Sequence, residues 1–209
     1  NVLLIADEVA TGFGRTGKMF ACQHEGVIPD LMAISKGLTG GYMPLAATLT
    51  TDEIYQAFLG TYADFKTFFH GHSYTGNPLG CAVALANIEI FQKEKTLAKL
   101  QPKIKTMARL LLPLKHLPHV GEIRQQGFIV AIELVEDTQT KKPYPLEARV
   151  GHRVVMEARN RGLLLRPIGN VIVLMPPLST SIPELSRMVE ILRASIEIVT
   201  QIPEFGEGA

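Results

Sequence analysis

The strongest constraint on the fold is the unbroken apolar run Val2-Leu3-Leu4-Ile5-Ala6. Successive side chains of a strand point to opposite faces, so a run without polar residues predicts a strand that is buried on both faces. Such strands belong to parallel sheets that helices cover. The run therefore predicts an α/β fold with a large, mainly parallel sheet. Because a domain rarely begins on its innermost strand, we also expect this chain to be the C-terminal part of a longer protein.

The pattern of predicted elements changes about halfway along the chain. Strands at 31–35 and 45–50 are followed by a helix that Asn77-Pro78 caps and by a second helix that ends near Leu112. We therefore predict two domains, residues 1–112 and residues 113–209, of which the second is a small α+β domain. Its predicted elements are strands at 128–134, 163–166 and 171–175, a helix at 146–161 ended by Gly162, and a last helix that opens with the capping box Ser181 to Glu184.

Two residues with functional side chains stand where predicted strands end. Asp7 follows the first apolar run, and Lys36 follows the segment Leu31 to Ser35. In open α/β sheets the carboxyl ends of the strands line the ligand crevice, so both side chains are expected in one pocket. Each residue alone also has an ordinary explanation, with Asp7 as a turn cap and Lys36 as a solvated lysine. The two residues by themselves leave the chemistry open.

The glycine-rich segment Gly12 to Gly17 fits the pattern G-x-G-x-x-G and follows a predicted strand. A dinucleotide site also needs a helix directly after this segment and an acidic residue about 20 residues further on. Residues Lys18 to Pro29 show no apolar stripe of helical period, and no acidic residue ends a second strand there. Nucleotide binding is therefore not favoured.

Composition narrows the range of partners. The 21 Lys and Arg nearly balance the 20 Asp and Glu, so no basic field for nucleic acid or membrane is expected, and small molecules or a second copy of the chain are the favoured partners. No apolar run reaches the roughly 18 residues of a membrane span. Cys22 and Cys81 are expected to be reduced, buried and structural, as in a cytoplasmic protein. His70 and His72 have no third ligand nearby, so no metal is expected.

Three motifs together are far more specific than any one of them: Asp7-Glu8-Val9, Gly12-Phe13-Gly14-Arg15-Thr16-Gly17 and Ser35-Lys36-Gly37. In combination they resemble the class III aminotransferases of fold type I, and the resemblance extends over nearly all of the 209 residues. It implies a pyridoxal-phosphate-dependent enzyme, with the C-terminal part of the large cofactor-binding domain followed by a small C-terminal domain.

The resemblance also implies roles for single residues. Lys36 matches the catalytic lysine that carries pyridoxal phosphate and contacts the substrate. Asp7 matches the carboxylate beside the pyridine nitrogen, where a charge-assisted hydrogen bond strengthens the ring as an electron sink. Val9 is expected on the same strand face, packed against the ring. Arg166 matches the arginine that holds a substrate carboxylate, for which a planar guanidinium is suited.

The loop before the capped helix is implied to bind the cofactor phosphate. It contains Gly71, His72 and Ser73 and offers backbone N–H groups and a hydroxyl. In the resembling family it reaches across a homodimer to the neighbouring subunit's phosphate, and Gly71 also lies against substrate. The ordinary alternative is a loop that only caps a helix.

The residues around Ala10 indicate a branch within class III. Many members that use ornithine or 4-aminobutyrate have Gln at this position, whereas Asp-Glu-Val-Ala and Leu174-Met175-Pro176-Pro177 are similar to the branch that converts 8-amino-7-oxononanoate to 7,8-diaminononanoate in biotin synthesis. Some members of that branch have Pro-Thr where this chain has His72-Ser73, which leaves the amino donor open between S-adenosylmethionine and lysine. The alternatives are another ω-amino acid aminotransferase, or a catalytically silent binding protein that retains the fold.

Overall fold

The computed structural model describes residues 2–201, a mixed α/β chain with two compact units. The first unit ends at Lys99 and the second begins at Leu100. The strands are β1 (Ile5–Asp7), β2 (Leu31–Ile34), β3 (Ala47–Thr50), β4 (Val120–Gln126), β5 (Ile129–Asp137), β6 (Lys142–Pro143), β7 (Arg166–Ile168) and β8 (Val171–Leu174). The α-helices are α1 (Asp52–Gln56), α2 (Pro78–Lys93), α3 (Thr96–Leu111), α4 (Val150–Asn160) and α5 (Ile182–Gln201).

The first unit contains a three-stranded sheet in the order β1-β2-β3. β1 and β2 are parallel, as predicted, with Ile5 opposite Leu31 and Asp7 opposite Ala33. β3 is antiparallel to β2, so the described sheet is mixed rather than mainly parallel.

The prediction that the first strand is buried on both faces is wrong for the described chain. Val2 is 96% exposed and Ile5 is 67% exposed. In the described sheet β1 is an edge strand with one hydrogen-bonded neighbour, and no described element covers these side chains. The strand is also shorter than the apolar run, because regular pairing with β2 begins at Ile5.

A small apolar cluster lies beneath the end of β2. Its buried members come from three separate parts of the first unit: Phe13, Ile34 with Leu38, and Ala84 of α2. α2 begins as predicted, since the Asn77 side chain accepts a hydrogen bond of 2.9 Å from the Leu79 N–H and Pro78 is the first helical residue.

The second unit is an antiparallel sheet in the order β4-β5-β8-β7, with the short strand β6 paired to the end of β5 at Val135 and Asp137. α4 and α5 pack on each other. At the start of α5 the Ser181 N–H donates to the Glu184 carboxylate at 2.6 Å, and the Glu184 N–H donates to the Ser181 hydroxyl at 3.4 Å, which confirms the capping box. The predicted apolar stripe of α5 is buried at all five positions, Leu185, Val189, Leu192, Ile196 and Val199.

Two predicted elements of the second unit differ from the structure. Arg149 has a left-handed φ of 49°, which separates a short 3-10 helix, Leu146–Ala148, from α4. Gly162, with φ 89°, ends the helix, and the Leu163 N–H turns back to the Ala158 carbonyl at 2.9 Å. Because the Leu163 N–H is bonded to the end of the helix, the next strand begins at Arg166 rather than at Leu163.

Strand β4 was not predicted. Its sequence is largely polar, and it is held by pairing with β5 rather than by an apolar pattern of its own.

The limit between the units also differs from the predicted 112/113, because Leu100, Met107 and Leu111 of α3 are buried in the core of the second unit. Residues 202–209 of the predicted second domain lie outside the described residues. Within residues 2–201, no helix has the length and apolarity needed to cross a bilayer.

Two helical glycines give a test of this packing. A Cβ added at Gly151 of α4 would lie 2.1 Å from the Gly169 carbonyl oxygen, whereas a Cβ at Gly80 of α2 would meet Leu45 at an ordinary 3.5 Å. Gly151→Ala is therefore expected to destabilise the protein by about 1–3 kcal/mol. Gly80→Ala is expected to stabilise it by about 0.5–1 kcal/mol, the usual gain of alanine over glycine in a helix. Urea unfolding of wild type and both variants measures the two changes in unfolding free energy. Changes of the same sign would contradict this packing.

Candidate active site

The pairing of β1 with β2 places Asp7 and Lys36 at one edge of the sheet. Asp7 is the last residue of β1 and lies opposite Ala33, while Lys36 follows three residues beyond Ala33. Both side chains are exposed. Because the two strands are parallel, their carboxyl ends meet at the same edge, which is where ligands bind in open α/β sheets. An amine and a carboxylate therefore share the edge that the sequence predicted.

Lys36 opens a 3-10 turn, Lys36–Thr39, here called the lysine turn. Its φ of 42° lies in the left-handed region, which is uncommon for a residue with a side chain and persists where surrounding contacts hold it. The Ser35 hydroxyl donates to the Leu45 carbonyl at 2.8 Å, and the Leu38 N–H donates to the Ser35 carbonyl at 2.9 Å. Lys36 is thus presented by an anchored turn rather than by a free loop.

The glycine-rich segment packs beneath the lysine turn. Phe13 is 6% exposed and makes edge-to-face contacts with Phe20 and Phe91 at ring distances of 5.7 and 6.3 Å. A Cβ added at Gly37 would lie 2.6 Å from the Phe13 Cβ, so the residue after Lys36 must be glycine. The segment after Gly17 contains only the 3-10 turn Ala21–His24 and no α-helix, which leaves the dinucleotide interpretation without its phosphate-binding helix.

The Asp7 carboxylate also caps the turn that follows β1. Its Oδ1 accepts a hydrogen bond of 3.0 Å from the Val9 N–H. Val9 lies in that turn and not on the strand, so the expectation that it shares a strand face with Asp7 is wrong. Regular strand pairing ends at Asp7, and after it the Glu8 N–H donates one hydrogen bond of 2.9 Å to the Ala33 carbonyl.

Glu8 is the residue that the sequence analysis left without a role. It is 2% exposed, its carboxylate accepts hydrogen bonds from the Thr11 hydroxyl and from the Cys22 N–H at 2.8 Å, and its carbonyl accepts one from the Gly12 N–H. Burial raises the pKa of Glu8, but the hydrogen bonds outweigh it and hold the pKa below its ordinary value. The alternation of a strand is the signal that could have identified it, since an exposed Asp7 turns the next side chain inward.

Neither cysteine is buried as expected. Both thiols are free, Cys22 is half-buried and Cys81 on α2 is exposed. Burial, followed by the hydrogen bond and charge of Glu8, raises the pKa of the Cys22 thiol. Cys22 therefore belongs, with Thr11 and Gly12, to the residues that are hydrogen-bonded to Glu8, here called the Glu8 network. Cys81 lies on the exposed side of α2, outside the apolar cluster beneath the lysine turn.

The predicted phosphate loop, Gly71 to Ser73, is exposed throughout and leads into α2. The His72 N–H donates to the Thr75 hydroxyl at 3.0 Å, and the Tyr74 N–H donates to His72 Nδ1 at 3.1 Å. In the described part of the chain these contacts stay within the loop, so the structure does not bring the loop to Asp7 or Lys36.

Arg166 lies in the second unit. It is the first residue of β7, pairs with Val173 of β8 and is exposed. Its backbone is held by the antiparallel sheet while its guanidinium faces solvent, which is the arrangement that an anion-binding arginine requires.

Comparison with known proteins gives consistent results. Residues 1–196 match the family described as aminotransferase class-III. The chain is 57% identical over 200 residues to an adenosylmethionine-8-amino-7-oxononanoate aminotransferase from Nitratidesulfovibrio vulgaris, covering 96% of this chain and 37% of that protein. The protein with the same name from Geobacter sulfurreducens is 58% identical over 200 residues, with 96% and 44% covered.

A solved structure shows the same likeness in three dimensions. The adenosylmethionine-8-amino-7-oxononanoate aminotransferase from Methanocaldococcus jannaschii has a TM-score of 0.91 and 52% identity, covering 94% of this chain and 46% of that one. The chain thus spans less than half the length of these relatives.

The Glu8 network predicts a pH-dependent stability. Glu8→Gln leaves at least one of the buried donors without an acceptor and is expected to cost about 1–3 kcal/mol of unfolding free energy at pH 7. The pKa of Glu8 is lower in the folded state, so the contribution of its charge is present above the ordinary value of 4.5 and is lost as the pH falls through the folded pKa. The difference in unfolding free energy between wild type and Glu8→Gln should therefore become smaller below pH 4.5.

Unfolding by urea at pH 7 and at low pH measures both effects. Glu25→Gln is the control, because this exposed glutamate at the end of the same segment should change stability by less than about 0.5 kcal/mol. A Glu8→Gln protein as stable as wild type at pH 7 would show that the buried carboxylate does not hold the segment.

Proposed function

The chain belongs to the class III aminotransferases, and from this premise we propose that the intact protein is a pyridoxal-phosphate-dependent aminotransferase whose catalytic lysine is Lys36. One observation carries the proposal: the parallel register of β1 and β2 puts the Asp7 carboxylate and the Lys36 amine at the same sheet edge. An isolated lysine or aspartate would be unremarkable, but this pair supplies two of the groups that the cofactor requires.

The residues at this edge fit pyridoxal phosphate by their chemistry. An exposed lysine on an anchored turn is suited to bind the aldehyde covalently. A carboxylate on the neighbouring strand is suited to hold a proton on the pyridine nitrogen through a charge-assisted hydrogen bond. Val9, in the turn that Asp7 caps, offers an apolar side chain to the ring. The hydroxyl of Ser73 and the backbone N–H of Gly71 would hold the phosphate, and the His72 N–H would join them by giving up its bond to the Thr75 hydroxyl.

In the reaction, bound pyridoxal phosphate supplies a conjugated ring that withdraws electrons from the substrate carbon bearing the amino group. Lys36 Nζ would accept the proton that leaves this carbon and return it to the carbon that receives the amino group, which is general acid–base catalysis by one positioned amine. Asp7 would hold the ring nitrogen by a hydrogen bond. The anchored lysine turn limits the range of positions from which the amine acts, so less orientational freedom is lost during proton transfer.

For the substrate we propose 8-amino-7-oxononanoate, converted to 7,8-diaminononanoate in biotin synthesis. The support is the name shared by relatives with 57% and 58% identity. Their name also favours S-adenosylmethionine over lysine as the amino donor. Arg166 would bind the carboxylate of the keto acid through two parallel hydrogen bonds.

The proposal extends to the assembly. We propose the fold type I arrangement, with the first unit as the C-terminal part of the large domain and the second as the small domain. The homodimer is supported by the exposed loop Gly71 to Ser73. Its hydrogen bonds in the described chain stay within the loop, so the Gly71 N–H and the Ser73 hydroxyl are available to a neighbouring subunit. The place of action would be the cytoplasm.

The first test is covalent trapping of the cofactor. The intact protein is loaded with pyridoxal phosphate, reduced with borohydride and analysed by peptide mass mapping. A phosphopyridoxyl group is expected on the peptide with Lys36, because Lys36 follows the strand that pairs in parallel with the strand ending at Asp7. Lys36→Ala should lose the label and the activity, while Lys18→Ala, which changes an exposed lysine of the same unit, should keep both. A label on another lysine with Lys36 unmodified would contradict the proposed function.

The second test concerns Arg166. Arg166→Ala in the intact enzyme is expected to raise the KM for 8-amino-7-oxononanoate about 30-fold, corresponding to a loss of about 2 kcal/mol for one partner of a charge pair. The KM of Arg166→Lys should lie between the values of wild type and Arg166→Ala, since a lysine keeps the charge but not the two parallel donors. Arg159→Ala, an exposed arginine of α4, is the control. An unchanged KM in Arg166→Ala would remove this residue from the site, and a panel of other donors and acceptors would then identify an ω-amino acid aminotransferase.

A further inference from the structure

One face of α2 packs against the surroundings of the lysine turn. Gly80, Ala84, Asn87 and Phe91 recur at helical spacing and form this face. Gly80 lies against Leu45, Ala84 is buried in the apolar cluster, and Phe91 contacts Phe13. The face is small or apolar except at Asn87.

A polar side chain on such a face is costly unless its groups are hydrogen-bonded. Asn87 Nδ2 donates to the Gly37 carbonyl at 2.7 Å and to the Leu38 carbonyl at 3.1 Å. Both acceptors are carbonyl oxygens, so the amino group of the amide must face them. Asn87 thus joins α2 to the lysine turn across 49 and 50 residues of chain.

These two bonds are formed beside a residue whose backbone is strained. Lys36 has a φ of 42°, and Gly40, which ends the turn, has a φ of 61°. A left-handed residue with a side chain costs free energy, and the conformation persists only where neighbouring contacts determine it. The carbonyls that Asn87 binds belong to the two residues directly after Lys36, so the amide holds the turn on the far side of the lysine from the Ser35 to Leu45 bond.

We infer that Asn87 is a positioning residue, which sets the reactivity of the Lys36 amine by holding the lysine turn through the Gly37 and Leu38 carbonyls. This inference rests on the proposed function, in which Lys36 reacts with the cofactor. Asn87 touches neither cofactor nor substrate in this role, and it acts only through the backbone that presents Lys36.

The first experiment needs no cofactor. Amide hydrogen exchange is measured on the cofactor-free intact protein as wild type, as Asn87→Leu and as Gln92→Leu, which changes an amide on the exposed part of the same helix. Leu has a similar size but no donor. The Leu38 and Gly40 amides are expected to exchange about tenfold faster in Asn87→Leu, in line with the loss of one to two hydrogen bonds, and at the wild-type rate in Gln92→Leu. Unchanged exchange in Asn87→Leu would overturn the inference.

The second experiment measures the consequence for Lys36. The rate of covalent attachment of pyridoxal phosphate is followed by absorbance under conditions where each variant is folded by circular dichroism. Asn87→Leu should attach the cofactor about tenfold more slowly and shift the pH at which the bound cofactor changes absorbance, whereas Gln92→Leu should match wild type. Faster exchange with unchanged attachment and an unchanged pH profile would show a purely structural role and overturn the inference.

Asn87→Ser keeps the test decisive if Asn87→Leu does not fold. A serine hydroxyl donates to only one carbonyl, so both the amide exchange rates and the rate of cofactor attachment are expected to lie between wild type and the tenfold change. Wild-type values of both rates in Asn87→Ser would overturn the inference. If wild type itself attaches no cofactor at Lys36, the proposed function fails, and the exchange rates still decide whether Asn87 holds the turn.

Discussion

The candidate site depends on the parallel hydrogen bonding of β1 with β2. Three paired positions bring together two chain segments that are separated by a long glycine-rich loop. Further backbone bonds flank them, from the Glu8 N–H to the Ala33 carbonyl and from the Asp30 and Leu31 N–H groups to the Leu4 carbonyl. Parallel strands end at the same edge, so an acidic residue after one and a lysine after the other become neighbours without any direct bond between them. An antiparallel pairing of the same two segments would place them at opposite edges.

The side chains of Asp7 and Lys36 are exposed, but the groups that hold the backbone around them are buried or half-buried. The Glu8 carboxylate holds the loop after β1, Phe13 fills the space beneath Gly37, and Asn87 binds the carbonyls that follow Lys36. A buried polar group contributes only when it is fully hydrogen-bonded, and these groups have their partners. The free energy that holds the strained backbone of Lys36 therefore comes from packing and hydrogen bonds on the side away from the sheet edge.

The two units present their charged residues in different ways. Lys36 lies on a turn that other elements must anchor, whereas Arg166 begins a strand whose own sheet holds its backbone. An antiparallel sheet that is buried by α4 and α5 is a rigid support, and a residue at the start of a strand needs no separate anchor. Substitutions of residues around the lysine turn should thus affect the site more than substitutions around Arg166.

The sequence by itself determined the α/β class, the cap of α2, the buried stripe of α5 and the strand end at Asp7, because caps, apolar period and strand ends are local patterns. It also placed Lys36 just beyond the second strand, which ends at Ile34. Only the tertiary structure decided what those patterns pair with. β4 has no apolar alternation and exists through β5, Leu100 belongs to the second core, and the apolar side chains of residues 2–5 are exposed. Glu8 and Asn87 gain their roles from partners 14 and 50 residues away, which local patterns do not reveal.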